Sequence, residues 1–386
     1  MHELTVNTGQ MSGNCADAII RRGFSTRSDA EQAVDELAGQ LNGPGLQSVV
    51  FFCSPAFDLE VLGRALRGRF DCPVLGCTTA GEIFSPHGYL ENSLVGIGFA
   101  SPDITMTPLF IPSLTDYSID SDSSPFSSLP PAQTDRRFAL LLIDGLSMLE
   151  ERILSGIQGP LQDIPLIGGS AGSGLGFKQT YVYHEGCFYK NAAVLALFET
   201  TRPFKIFRIQ HFTPTAAKMV VTEANPSTRT VSEINGLPAD QEYAKIVGMT
   251  AADLSPGVFA SNPLLVRIGG QNFVRSINKN YSDGSLDFYC AIDNGVVLTL
   301  AKGENLLENL RHQLEQLAGE IPDMQLLLGF DCILRRIEVQ DRGEEEQLRE
   351  LLAPFPYVGF CTYGEQYNGI HVNQTLTGLA LGGSHA

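Results

Sequence analysis

Apolar and polar positions along this chain follow a unit that is met three times. Each unit opens on an apolar run, continues through a segment of helical period, and passes by a short strand into a turn of small residues bounded by glycine. A last apolar run, opening on Asn, closes it. In the first unit these parts are Val49-Val50-Phe51-Phe52, a helix over about Phe57 to Phe70, Pro73-Val74-Leu75, the turn Gly76-Cys77-Thr78-Thr79-Ala80-Gly81-Glu82, and Asn92-Ser93-Leu94-Val95. In the second they are Leu140-Leu141-Leu142-Ile143, a helix near Ser147 to Gln158, Pro165-Leu166-Ile167, the turn Gly168-Gly169-Ser170-Ala171-Gly172, and Asn191-Ala192-Ala193-Val194. In the third they are Leu326-Leu327-Leu328-Gly329, a helix near Glu344 to Leu352, Pro356-Tyr357-Val358, the turn Gly359-Phe360-Cys361-Thr362-Tyr363-Gly364-Glu365, and Asn373-Gln374-Thr375-Leu376. Proline suits a strand entrance because its φ is fixed and it gives no N–H to a ladder. Glycine permits left-handed backbone and close approach, so the turns are expected to leave backbone N–H groups free for a ligand's oxygen atoms.

Around these units the pattern predicts further elements. A strand and turn are expected near Thr5, Val6 and Gly13, and Ser28-Asp29-Ala30-Glu31 reads as a capping-box start for a helix to about Leu41. The stretch from Ser113 to Gln133, with Asp120-Ser121-Asp122-Ser123-Ser124-Pro125, buries little and reads as an exposed loop. Strands are predicted over Phe204 to Phe212, Lys218 to Val221, Val231 to Ile234, Leu264 to Ile268, Phe273 to Ile277, Leu286 to Ile292 and Val296 to Leu300. A helix opens after Asn235-Gly236-Leu237-Pro238 and runs through Val247, and another, Asn305 to about Leu317, carries Leu306, Leu310, Leu314 and Leu317 on one face. The fold class is therefore α+β: layered mixed β-sheets covered by helices, built from repeated strand-helix-strand-strand units in two domains. The boundary falls near Thr201 to Pro203.

Composition narrows the function. A chain of 386 residues, 43% hydrophobic, can bury more core than one ordinary domain holds. Its net charge of −17 sets it against nucleic acid and anionic membrane surfaces, which call for a basic face. No run approaches the roughly 18 apolar residues of a membrane span, and Met1-His2-Glu3-Leu4 lacks a signal peptide's basic start, so a cytoplasmic protein is expected. The eight cysteines are scattered without a CxxC pair and read as reduced thiols.

The Gly76 to Glu82 turn followed by Asn92-Ser93-Leu94-Val95, the stretch VSEINGLPADQEY from Val231 to Tyr243, Phe330-Asp331-Cys332 with Arg335 and Arg336, and GFCTYGEQYNGIHVNQT from Gly359 to Thr375 together resemble FIST proteins. The resemblance covers nearly the whole chain. It implies a FIST N-terminal domain over 1–202, a FIST C-terminal domain over 203–386, and an intracellular sensory ligand-binding role rather than catalysis. With no kinase or cyclase segment in view, the chain looks like a stand-alone sensor. Stand-alone members include the NosP group, whose likeness implies haem as cofactor, nitric oxide as signal, and a partner histidine kinase or cyclic-di-GMP enzyme.

A haem would need an axial ligand beside an apolar pocket. The candidates are His184, between aromatics in Tyr181-Val182-Tyr183-His184, then His371 and His211, with His184 the first choice for the iron. His2 and His385 lie at the ends, His312 on the solvated face of its helix, and His87 in a segment like those of His184 and His371. Cys72-Pro73 could offer a thiolate, but its register matches Ile164-Pro165 and Phe355-Pro356, where the proline alone explains the pair. The ligand is expected between the two halves, at Gly76, Thr78, Thr79, Gly81, Gly169, Ser170 and Tyr363. An alternative ligand is a small polar metabolite such as an amino acid, held by those turns with Arg267 or Arg336 and Glu365. A third reading makes Cys77 or Cys361 a nucleophile near Glu82 or Glu365, though no spacing supplies a base. The Gly168 to Gly174 stretch lacks the lysine of a P-loop.

Overall fold

The structure, a computed structural model, describes residues 18–118, 126, 129–134, 136–174, 176 and 178–383. The elements expected near Thr5, Val6 and Gly13, the stretch Asp120 to Pro125, and His2 and His385 lie outside the described residues.

Strand β1 (Ile20–Ser25) and helix α1 (Ala30–Leu41) precede the first unit, which comprises β2 (Ser48–Cys53), α2 (Leu59–Arg69), β3 (Val74–Thr78), the hairpin β4 (Glu82–Phe84) and β5 (Gly88–Leu90), and β6 (Leu94–Phe99). After β7 (Ile104–Ile111) the second unit repeats this order as β8 (Arg137–Ile143), α3 (Glu150–Leu161), β9 (Leu166–Ser170), the hairpin β10 (Val182–His184) and β11 (Cys187–Tyr189), and β12 (Ala193–Thr200). Strand β13 (Phe204–Ile209) leads into a separate lobe. That lobe holds β14 (Phe212–Asn225), β15 (Thr230–Ile234), β16 (Leu237–Pro238), α4 (Ala239–Val247), α5 (Pro256–Ser261), β17 (Leu264–Ile268), β18 (Gln271–Arg275), β19 (Ile277–Asn280), β20 (Leu286–Phe288) and β21 (Val297–Gly303). Helix α6 (Leu306–Glu320) returns the chain to the third unit: β22 (Met324–Cys332), α7 (Ile333–Asp341), α8 (Glu345–Leu352), β23 (Tyr357–Thr362), the hairpin β24 (Glu365–Tyr367) and β25 (Ile370–Val372), and β26 (Leu376–Gly382).

In every unit the two strands flanking the helix pair in parallel, and the closing strand lies antiparallel on the first. The short hairpins do not join their own sheets. The pair β10–β11 completes the first unit's sheet, β24–β25 the second's and β4–β5 the third's. Three six-stranded sheets of one strand order result, β1-β6-β2-β3-β10-β11, β7-β12-β8-β9-β24-β25 and β13-β26-β22-β23-β4-β5. A three-residue hairpin is marginal alone and gains its order by extending a sheet. Because each unit lends its hairpin to another, the three close into a cycle with approximate threefold symmetry.

The inner faces of the sheets meet in one core, with Phe52, Phe330 and Phe360 in mutual aromatic contact at its centre. The helices cover the outside: α1 and α2 on the first sheet, α3 on the second, α6 to α8 on the third. The separate lobe is an antiparallel sheet, β18-β17-β21-β14-β15-β20-β19 with β16 against β15, over a core of its own. At the tip of its β14–β15 hairpin, Arg229 reaches the start of α3 and donates from Nη2 to Glu150 (2.6 Å) and Glu151 (2.8 Å). This largely buried ion pair ties the lobe to the threefold body; removing one partner would strand a charge in the interior.

The predicted α+β class and the repeat are what the structure shows, with three local differences. The left-handed residues before the closing strands are Asn92, Asn191 and Gln374, so the third unit's counterpart of the first two asparagines is Gln374 and not Asn373. Helix α7 starts straight after β22, where no helix was expected. In the stretch read as an exposed loop, Leu114, Tyr117 and Phe126 are buried against α3 and its sheet.

Candidate ligand site beside the circle of glycine turns

The three glycine turns meet at one end of the threefold body and bond to one another in a circle. Ala80 N donates to Cys361 O (2.9 Å) and Cys361 N to Gly81 O (2.7 Å); Gly172 N donates to Thr78 O (2.9 Å); Ser170 N donates to Gly364 O (2.8 Å) and Tyr363 N to Ser170 O (3.2 Å). Gly81 N is taken by the Thr79 hydroxyl. The N–H groups of Thr78, Thr79 and Ala171 go to carbonyls of neighbouring strands and segments, so the expectation of free N–H groups is corrected: these turn donors are engaged within the fold, and a ligand must be held mainly by side chains.

Beside the circle lies a cavity of about 1030 Å³, at the upper limit of small-molecule sites. All three units build it. The first gives Ser54 to Phe57 before α2, the turn Thr79 to Glu82, and Glu91 and Asn92; the second gives Ser173, Gly174, Lys178, Gln179 and Tyr181; the third gives Ile333, Arg336 and Gln340 from α7.

Arg336 dominates the electrostatics. Its neighbour Arg335 is consumed inside the fold by Asp331 (2.6 Å), whereas Arg336 points to the first unit. There Nη1 donates to Ala80 O (2.9 Å), Nη2 donates to Glu91 Oε1 (2.8 Å), and the guanidinium lies over the Tyr89 ring at 5.1 Å. Gly81, at φ 126°, makes this possible, since a Cβ there would fall 1.8 Å from Arg336 Nη1. The floor of the cavity is Glu82, fully buried, whose carboxylate accepts from the Thr79 and Ser93 hydroxyls. Burial pushes its pKa up to about 7 against the pull of those hydroxyls.

Comparison with known proteins gives the family. The FIST N domain profile matches residues 47–237 and the FIST C domain profile residues 239–368. The chain belongs to the FIST family. FIST domains are sensory ligand-binding domains of signalling proteins. Among curated protein sequences, none matches this FIST chain significantly. The circle of turns thus joins residues of both FIST domains, and Arg336, from the FIST C part, reaches the turn of the FIST N part.

Of the predicted ligand residues, Thr79, Gly81 and Arg336 line the cavity. Thr78 is buried beneath it, Gly76 packs on the Phe51 ring, and Gly169 and Ser170 lie inside the second sheet. Tyr363 closes the back of the circle by donating from its hydroxyl to Gly174 O (2.5 Å). Glu365, the third-unit twin of Glu82, accepts from Thr362 and Thr375 in the core and does not face the cavity. Arg267 is exposed on β17 of the separate lobe and does not line the cavity. The acids that do are Glu82 and Glu91, and Lys178 adds a second cation; the sequence reading missed Glu91 and Lys178.

The histidines differ in what they offer a haem. His211 has both ring nitrogens engaged, by Glu338 (3.0 Å) and Arg335 (3.4 Å). His371 has no hydrogen-bond partner on either nitrogen among the described residues, but its ring is buried against Gly364, where a Cβ would be 2.2 Å from Cε1, which leaves no room for a macrocycle. His184, half-buried and stacked on Phe110 at 4.4 Å, borders a second cleft of about 420 Å³ together with Cys72, Pro73, Pro108 and Arg67. Among the described residues His184 is thus the candidate iron ligand with a cleft beside it, and the carboxylates Asp71 and Glu185 share that lining. Burial lifts the Cys72 thiol to about 11, which disfavours a thiolate ligand, while burial lowers the His184 pKa and keeps its ring neutral. Cys77 and Cys361 are fully buried, and burial raises both thiols far above neutrality, so neither is poised as a nucleophile. The seven described cysteines are all free thiols. No described helix is long and apolar enough to cross a membrane.

Proposed function

We propose that this FIST protein is a cytoplasmic sensor whose ligand is a small polar metabolite bound in the cavity beside the circle of turns. The observation that carries this reading is that all three units wall the cavity and Arg336 crosses it from one FIST domain to the other. A ligand that engages Arg336 and the first turn alters contacts between the domains, and a population shift of that kind is what a partner protein can read. By family resemblance the partner is a histidine kinase or a cyclic-di-GMP enzyme; a ligand without effect on such an enzyme's activity in the presence of this protein would remove that part. A thermal-shift screen with amino acids and related metabolites tests the ligand. A binder raises the melting temperature of the wild-type protein and not of Ala56→Trp, which fills the cavity from an exposed position; an equal rise in both contradicts the site.

A second reading keeps haem, because His184, the first choice for the iron, borders a cleft of its own. His184 would hold the iron, Arg67 is placed to pair with a propionate, and a bound haem would supply an open coordination position for nitric oxide. An absorption spectrum of protein expressed with haem supply decides: a Soret band lost in His184→Ala supports it, and no band at one-to-one haemin removes it.

A further inference from the structure

We propose, resting on the cavity reading above, that the ligand's anchoring group is a carboxylate and that Glu91 is its resident competitor, a side chain of the protein occupying the carboxylate's place on Arg336. The guanidinium is fixed before any ligand arrives: its side chain is 9% exposed, Ala80 O holds Nη1 and the Tyr89 ring backs it. Glu91 is the opposite. Its side chain is 73% exposed, and the bond to Arg336 Nη2 is its one side-chain polar contact among the described residues. Pairing a preorganised, desolvated arginine with a tethered but loosely held acid is an exchangeable arrangement, because an incoming carboxylate inherits the good half of the interaction and adds contacts of its own.

The repeat shows that this acid is particular to the first unit. The position just before the left-handed residue is Glu91 in the first unit, Lys190 in the second and Asn373 in the third. The fold therefore does not require a carboxylate there. Lys178 on the cavity wall gives a second cation for the same group, in a chain whose net charge is −17. Displaced Glu91 would move into solvent together with the turn it shares with Asn92, which exposes a changed surface next to β6.

The test uses titration calorimetry at pH 7.5 and low salt with succinate and glutamate as probes, succinamide as the uncharged control, and wild-type, Glu91→Gln and Ala56→Trp proteins. Removing a competing charge-assisted contact predicts carboxylate binding about tenfold tighter in Glu91→Gln, with succinamide unaffected. Equal or weaker carboxylate binding in Glu91→Gln, or no binding of either acid to wild type and Glu91→Gln, overturns the proposal. Unchanged affinity in Glu91→Gln combined with loss in Ala56→Trp overturns the competitor alone and leaves the cavity standing; binding that survives Ala56→Trp overturns both. Glu91 is exposed, so its variant folds as the parent does.

Discussion

At the scale of single residues, the buried acids Glu82 and Glu365 carry the sharpest consequence. Each sits i+3 from a threonine whose hydroxyl bonds its carboxylate, and each is held by a second hydroxyl, Ser93 or Thr375. Burial raises Glu365 from 4.5 to about 8, so the folded state retains a proton the unfolded state gives up. Its stabilising contribution is therefore complete below pH about 4.5 and is lost as pH rises through about 8. In Glu365→Gln, which mimics the protonated acid, the urea midpoint is expected to fall less between pH 5 and 8.5 than in wild type; an unchanged slope would show that Glu365 is ionised throughout. The sequence marked Glu365 and Arg336 by their places in the repeat and the family pattern. It did not mark Glu91, because the pair it makes with Arg336 spans 245 residues and rests on the exchange of hairpins, which no local pattern displays.

At the scale of elements, helix starts were legible where a side chain caps them. Asp29, Asp58 and Asn305 each accept an N-terminal backbone N–H of α1, α2 and α6, and those helices lie where the pattern put them. Helices α3 and α7 have Leu149 and Cys332 as N-caps without a side-chain cap bond, and there the reading placed the helix about three residues early or missed it. The glycine turns were legible as turns but not as a circle, since their partners come from other units. Gly172 shows how tightly that circle closes: a Cβ would lie 2.5 Å from Ala80 N, backbone against backbone. Gly172→Ala is expected to cost about 1–3 kcal/mol in urea unfolding as an overpacked contact. Gly39→Ala, on α1 with nothing within 4 Å of the added atom, is expected to stabilise by about 0.4–1 kcal/mol. Equal effects at the two sites would mean the turns have room to spread.

For the whole molecule, the repeat read from Pro, glycine turns and closing strands was enough to give the α+β class and three look-alike units. What it left out is the cycle, in which the first and third units, far apart in sequence, share the sheet ending in β4–β5. That closure carries α7 to the first turn and so creates the cavity, with Arg336 bridging residues matched to the two FIST domains. The central claim is that this cavity is where the sensor meets its signal. A crystal structure of the protein with the tightest ligand from the thermal-shift screen tests it most directly. The account predicts ligand density against Arg336, Lys178 and the Thr79 to Gly81 turn; density at the His184 cleft or elsewhere, with only solvent beside Arg336, would contradict it.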